Sequence, residues 1–172
     1  YACGYAMQLL VYRILNDIAW YKPNAAPNLG RRMFTASHES LIWASKSKKA
    51  KHTFNYQALR EGDFPGDRFK NPGRQMRSAW ETIEHRETLW PITTAKKAEK
   101  EFGKHPTQKP LALMERIVVA STNPGDAILD PFCGSGTTGV ACLLNERRFI
   151  GVDSERAYLR DLAKKRLARL AQ

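Results

Sequence analysis

The sequence has few cysteines, no long apolar run and no internal repeat. Its three cysteines, Cys3, Cys133 and Cys142, cannot all pair within the chain, and none has metal-ligand spacing, which argues against a disulfide framework and a metal site. No apolar run approaches the roughly 20 residues that a membrane helix needs, so no membrane partner is expected. These features predict a protein of the reducing cytoplasm.

The composition is that of a globular domain with a basic surface. The chain has 172 residues, of which 42% are hydrophobic and 26% charged, a length that suits one domain. Lysine and arginine total 28 against 17 acidic residues, a net charge of +11. About half of that excess lies in residues 46–104. The charge predicts a surface for a polyanion such as nucleic acid, although a merely solvated basic face has the same composition.

Residues 52–104 are broken by Gly62, Pro65, Gly66, Pro72, Gly73 and Pro91. Aromatic residues are interleaved there with arginine and lysine. This pattern is typical either of a disordered linker or of an inserted segment with a binding task. The two tryptophans, Trp80 and Trp90, favour the insert, because linkers are poor in aromatic residues.

The regular part of the chain alternates strands and helices. Apolar spacing predicts a helix over residues 5–16 and strands over 17–21 and 38–44, while the first residues are typical of a strand. Further on it predicts a helix over 111–120, a strand over 127–132, a short helix over 137–144, a strand over 149–153 and a helix over 157–170. The second series is a βαβ unit, which predicts an α/β fold with a parallel sheet.

A glycine-rich turn between the first strand and the helix of this unit indicates a ligand-binding site. Residues 130–139 read DPFCGSGTTG, with the G-x-G-x-x-G glycines at 134, 136 and 139, and Asp153 follows the next strand. Such a turn brings the backbone close to a ligand, and the acidic residue can accept hydrogen bonds from ribose hydroxyls. Asp130 before the turn would repel a pyrophosphate and attract an amino group. The pattern therefore favours S-adenosylmethionine, with an NAD-dependent oxidoreductase as the alternative.

A second motif, HPTQKP at residues 105–110, precedes a helix. Its two prolines stiffen a polar segment, which can place Thr107 and Lys109 against a ligand carboxylate. The alternative is a proline-rich helix start with no ligand.

Together, HPTQKP, DPFCGSGTTG and FIGVDSE resemble the permuted (β-class) DNA amino-methyltransferases of restriction–modification systems, and weaker similarity covers nearly the whole chain. The resemblance implies that Asp153 holds the ribose, Asp130 the methionine amino group, and Thr107 and Lys109 the carboxylate. Ser135 and Thr137 would make polar contacts nearby. The full set of implied cofactor residues is His105, Pro106, Thr107, Lys109, Asp130, Pro131, Phe132, Gly134, Ser135, Gly136, Thr137 and Asp153.

The resemblance also implies a fold and a reaction. The fold would be an incomplete Rossmann-like S-adenosylmethionine-dependent methyltransferase: late strands and a helix in residues 1–46, an inserted target recognition region in 47–104, and the cofactor-binding βαβ part in 105–172. The reaction would be site-specific methylation of an exocyclic amine in DNA, adenine N6 in preference to cytosine N4. Implied partners are DNA, a second copy in a homodimer, and a cognate restriction endonuclease. The expected DNA contacts are Lys46, Lys48, Lys49, Lys51, Arg74, Arg77, Lys96 and Lys97.

One family motif is missing from the sequence. The catalytic tetrapeptide (Asp, Asn or Ser, then Pro-Pro-Tyr or Phe) is absent, so no catalytic residue is assigned. We therefore expect a C-terminal portion of a longer enzyme, inactive and poorly stable alone, with sheet edges and apolar faces exposed. A non-catalytic DNA-binding remnant and an enzyme acting on RNA are the remaining alternatives.

Overall fold

The computed structural model describes residues 2–10, 12–23, 25, 27–64, 67–81, 102–103, 105 and 107–170. The chain divides into two compact units, which are described separately: Tyr1–His52 with Leu59–Thr93, and Thr53–Ala58 with Thr94–Gln172. No helix within the described residues is long and apolar enough to cross a membrane.

The first unit is built on a three-stranded mixed sheet. Helix α1 (Ala2–Leu9) precedes strands β1 (Arg13–Tyr21) and β2 (His38–Ser45), and β3 (Ala79–Glu81) follows later. The strand order is β2-β1-β3, with β1 antiparallel to β2 and parallel to β3. Trp20 and Trp80 are register partners and both are buried, so they form the centre of this small core.

An ion pair between an exposed arginine and a buried glutamate fixes the loop that precedes β3. The Glu81 side chain is fully buried, and both its carboxylate oxygens accept hydrogen bonds from the Arg68 guanidinium, at 2.8 and 3.1 Å. The guanidinium also lies over the Tyr21 ring, 5.7 Å from its centroid. Bidentate contacts of this kind hold a planar guanidinium in one orientation, so the loop is tied to the sheet.

The second unit contains the βαβ element. Helix α3 (Leu111–Ser121) leads into β4 (Ala127–Asp130), α4 (Thr137–Leu144) and β5 (Arg148–Gly151). Strands β4 and β5 pair in parallel, from Ala127 opposite Arg148 to Asp130 opposite Gly151. A π-helical segment (Tyr158–Ala163) and helix α5 (Lys164–Leu170) complete the unit. Its core contains Val118, Ala141 and Cys142, packed against Leu111, Met114, Ile128 and Phe149.

Asn55 explains why a short stretch before Leu59 belongs to the second unit. Its side-chain amide donates to the carbonyl oxygens of Val119 and Thr122, at 2.8 and 2.7 Å, and its backbone N–H donates to that of Ala120 at 3.0 Å. These carbonyls lie at the C-terminus of α3, where a helix has no N–H donors of its own to satisfy them. Asn55 therefore caps α3, and helix α2 (Tyr56–Glu61) begins directly after it.

Two sequence expectations at the start of the chain were wrong in detail. The helix expected over residues 5–16 is α1, Ala2–Leu9, so the opening residues are helical and not a strand, and β1 already begins at Arg13. Short apolar runs fit either element, and pairing with β2 decides in favour of the strand. Helix α2 and strand β3 are short elements inside residues 52–104, where glycine and proline were expected to break any long element. The helix over 157–170 contains a π-helical segment, in which the Lys164 N–H donates to the Leu159 carbonyl.

Candidate functional site

The centre of the site is the turn between β4 and α4. Gly134 and Gly136 have φ values of +50° and +75°, a left-handed conformation that side chains other than glycine rarely adopt. The turn is closed by a hydrogen bond of 2.7 Å from the Gly136 N–H to the Cys133 carbonyl. No side chain caps α4, which begins at Thr137. The first N–H groups of such a helix have no acceptors within the helix itself, which makes this end of α4 a candidate ligand site.

Asp153, two residues beyond β5, is hydrogen-bonded to the turn. Its Oδ2 accepts the Gly134 N–H at 2.7 Å and its Oδ1 accepts the Glu155 N–H at 2.9 Å. The bonds from Glu155 and Gly134, helped by nearby His105, hold the pKa of this carboxyl below its usual value. The charged carboxylate keeps further acceptor lone pairs, so it can also receive a ribose hydroxyl.

Asp130 ends β4, directly before the turn. Its Oδ1 accepts the Phe132 N–H at 3.1 Å, and its Oδ2 accepts the Thr138 hydroxyl at 2.6 Å. Burial first, and then the charges of Asp130 and Asp153, raise the pKa of the Cys133 thiol. Two acidic groups beyond the carboxyl ends of parallel strands mark the usual ligand crevice of an α/β sheet.

The HPTQKP segment contributes His105 to the turn. A Cβ on Gly134 would lie 2.8 Å from His105 Nε2, so the imidazole packs directly against the glycine. Its other side meets the Tyr158 ring in an edge-to-face contact, with ring centroids 4.4 Å apart. The Thr107 hydroxyl is 3.4 Å from His105 Nδ1, and Lys109 is exposed. Pro106 lies outside the described residues.

Ser135 and Thr137 are almost fully buried, with relative exposures of 4% and 5%. Their hydroxyl oxygens lie 3.3 Å apart, and both accept hydrogen bonds from Arg166 of α5. The π-helical segment also approaches the turn, because a Cβ on Gly136 would lie 2.9 Å from Ala163 Cβ. The turn is thus enclosed by His105 on one glycine and by the last helix on the other.

An apolar surface remains open beside the crevice. Leu129 and Ile150 are register partners in β4 and β5 and therefore share one face of the sheet, and they are 62% and 56% exposed. Phe132, next to Pro131 in the turn, is 87% exposed. A parallel sheet is normally covered on both faces, so this face is unusually open.

The expected DNA contacts that the structure describes are separated from the cofactor residues along the chain and belong to the first unit. All six that the structure describes are exposed: Lys46, Lys48, Lys49, Lys51, Arg74 and Arg77. Lys96 and Lys97 lie outside the described residues. Their role in DNA binding stays a prediction, as do the roles assigned to the individual cofactor residues.

Sequence reasoning missed three residues of the site: Thr138, Tyr158 and Arg166. Thr138 lies within the glycine motif, and its position as the second residue of α4 was the available signal. Tyr158 and Arg166 follow the last motif and carry no spacing signal, since a basic residue in an amphipathic helix is usually on its solvated face. Among the described residues, no group of three or more His, Cys, Asp or Glu side chains could hold a metal ion.

Comparisons with known proteins agree on one family. A family model described as DNA methylase matches residues 2–165. The type II methyltransferase M2.DpnII of Streptococcus pneumoniae is 48% identical over 97% of this chain and 56% of its own length. M.HinfI of Haemophilus influenzae is 40% identical over 97% of this chain and 43% of its own. The chain thus spans about half the length of these curated relatives. The crystal structure of an M1.HpyAVI–SAM complex superposes with a TM-score of 0.68 and 34% identity, covering 96% of this chain and 69% of that one.

Proposed function

The chain belongs to the N6/N4 DNA methylase family, and from this premise we propose that it is the cofactor-binding and DNA-contacting part of a site-specific DNA methyltransferase. The enzyme would transfer a methyl group from S-adenosylmethionine to an exocyclic amine, adenine N6 in preference to cytosine N4. The single observation that carries the proposal is the hydrogen bond of 2.7 Å from the Gly134 N–H to Asp153 Oδ2. This bond joins the glycine turn to the carboxylate that follows β5. The 34% identical structure that contains SAM supports the same cofactor.

Each part of the crevice has a role in this proposal. Asp153 accepts the ribose hydroxyls, and Asp130 attracts the amino group of the methionine moiety. Gly134 and Gly136 allow the backbone to approach the cofactor closely. Thr107 and Lys109 bind the carboxylate of its methionine moiety. The fold we propose is that of a Rossmann-like methyltransferase. In it, residues 1–46 supply late strands of the sheet, residues 47–104 form the target recognition region, and residues 105–172 form the cofactor-binding part.

The chemistry makes modest demands on acid–base groups. The amine lone pair attacks the methyl carbon, the carbon–sulfur bond breaks and leaves a neutral thioether, and the amine loses a proton to solvent. An exocyclic amine is a weak nucleophile, so in-line placement and acceptors for its N–H groups supply most of the catalysis. The base must leave the duplex to reach the cofactor, and the exposed lysines of residues 46–51 are suited to hold the DNA backbone meanwhile.

We also propose that further polypeptide completes the enzyme. The chain spans about half of its curated relatives, and the Leu129–Ile150 face is open. The acceptors for the target amine would come from that polypeptide. A homodimer, a cognate restriction endonuclease and a cytoplasmic location remain parts of this proposal.

Calorimetry on the protein expressed from its complete reading frame tests the cofactor. We expect saturable binding of S-adenosylmethionine and of S-adenosylhomocysteine, weakened by Asp153→Ala, and no saturation with NADH. Saturation with NADH alone would overturn the proposal in favour of an oxidoreductase. Methylation-sensitive sequencing of DNA from cells that express the complete gene then identifies the modified base, and unmethylated DNA would point to a non-catalytic remnant.

A further inference from the structure

Arg166 of helix α5 reaches the glycine turn from a distant part of the chain. Its Nη1 lies 2.9 Å from the Ser135 carbonyl oxygen, 3.0 Å from Thr137 Oγ1 and 3.3 Å from Ser135 Oγ. These partners are 31 and 29 residues earlier in the sequence. Two acceptors belong to Ser135 in the turn and one to Thr137, the first residue of α4, so one guanidinium nitrogen bridges the turn and the helix that follows it.

The contact falls where the turn has most freedom. Ser135 stands between Gly134 and Gly136, the two residues with left-handed φ values of +50° and +75°. Glycine backbones are permissive, so each contact to the turn helps to hold it in one conformation: the Gly136 and Gly134 N–H groups are held by Cys133 and Asp153, and the Ser135 carbonyl by Arg166. The Ser135 carbonyl belongs to the same rigid peptide plane as the Gly136 N–H. Arg166 therefore fixes the orientation of that peptide and, through Thr137, of the first residue of α4.

The Ser135 and Thr137 hydroxyls are buried against Arg166 and serve this contact. Ser135 and Thr137 are 4% and 5% exposed, whereas Phe132 in the same connection is 87% exposed. A charged donor to buried acceptors makes a stronger hydrogen bond than a neutral donor does. The hydroxyls thus link the turn to α5. They affect ligand binding by holding the backbone of the turn in place and not by contacting the ligand themselves.

We propose that Arg166 is a positioning residue for the adenosylmethionine crevice, which holds the 134–137 turn in its binding conformation through Ser135 and Thr137. The proposal rests on the proposed function, since the ligand of the turn is taken from it. Arg166 itself touches no reacting atom. Its effect is preorganisation, which raises affinity by removing the ordering cost from the binding step.

The test compares Arg166→Met with Lys164→Met in the protein expressed from its complete reading frame. Lys164 is an exposed cation in the same helix, so its variant removes the same charge without the contact. We expect Arg166→Met to raise the Kd for S-adenosylhomocysteine about tenfold and to raise the KM for S-adenosylmethionine similarly, with little change in kcat at saturating cofactor. Lys164→Met should leave both constants unchanged. Arg166→Lys should restore part of the affinity, because an ammonium group can also donate to several acceptors.

A variant at the other end of the contact keeps the inference testable if Arg166→Met folds poorly. Thr137→Val removes one acceptor at nearly constant volume, and its effect on Kd should be less than additive with that of Arg166→Lys. A wild-type Kd with a lowered melting temperature in the Arg166 variants would overturn the inference and leave the proposed function intact. No binding of S-adenosylhomocysteine by the wild type would overturn both.

Discussion

A methyl group added at Gly136 should cost more stability than the same group added at Gly125. Both glycines have left-handed φ values, +75° and +84°. A Cβ on Gly125 would meet nothing within 4 Å, whereas a Cβ on Gly136 would lie 2.9 Å from Ala163 Cβ and 3.1 Å from Ala163 Cα. The pair therefore separates the backbone cost of alanine from the cost of its contact with the π-helical segment.

The two costs can be worked out separately. Left-handed φ costs a residue other than glycine roughly 1–2 kcal/mol, so Gly125→Ala should lower the free energy of unfolding by about that amount. Gly136→Ala carries the same cost plus overpacking, typically about 1–3 kcal/mol. The backbone Cα of Ala163 cannot rotate away as a flexible side chain can. We therefore expect a total loss of about 2–5 kcal/mol, a large share of a typical stability of about 5–15 kcal/mol.

Equilibrium urea unfolding, followed by circular dichroism, measures both losses. Ala163→Gly is the second single variant of a double-mutant cycle, because it removes the Cβ that lies closest to the added methyl group. The double variant Gly136→Ala/Ala163→Gly should be more stable than the sum of the single losses predicts, by about 1 kcal/mol. Equal losses at Gly125 and Gly136, or strict additivity in the cycle, would refute the close approach of the last helix to the turn.

Three further predictions concern Asp153, Cys142 and the basic run of residues 46–51. Hydrogen bonds lower the pKa of Asp153 in the folded state below its ordinary value of about 3.9. They therefore stabilise the fold fully at a pH above about 3.9, and this stabilisation is lost as the pH falls through the lower folded-state pKa. Asp153→Asn should flatten the pH dependence of the free energy of unfolding in that acid range. Burial raises the pKa of Cys142 to about 11, so mass spectrometry should find its thiol unlabelled by iodoacetamide at pH 8 in the native protein and labelled in urea, and rapid native labelling would contradict its burial. Replacing the basic run by glutamine should reduce the slope of log Kd against log salt for duplex DNA by about 0.9 per lost phosphate contact, and an unchanged slope in fluorescence anisotropy would remove these residues from the interface: Lys46, Lys48, Lys49 and Lys51.

The βαβ unit could be predicted from the sequence because local signals and tertiary packing agree there. The bounds of α4 were predicted as found, since a glycine turn precedes Thr137 and the apolar run ends at Leu144. The family itself was also predicted correctly from HPTQKP, DPFCGSGTTG and FIGVDSE, and the DNA methylase match confirms it.

The first unit was less predictable because its strands depend on distant partners. Strand β3 has only three residues, too few for an alternating pattern, and it forms by pairing Ala79, Trp80 and Glu81 with β1, some 60 residues earlier. Its buried carboxylate is equally non-local, since Glu81 is stable there only with the Arg68 guanidinium beside it. Similarly, nothing near Arg166 in the sequence indicates that its partners are Ser135 and Thr137.

The π-helical segment has a consequence for how this protein tolerates insertion and deletion. Tyr158 at its start contacts His105, and Ala163 at its end meets Gly136, so both ends of one wide turn are anchored. The π-helical bond from the Lys164 N–H to the Leu159 carbonyl encloses one residue more than an α-helical turn does. Removal of a single residue from this segment, with a return to α-helical winding, should therefore leave Arg166 on the side that faces Ser135. Removal of Lys165 in α5, where the winding is already α-helical, should instead turn Arg166 away by about 100° about the helix axis.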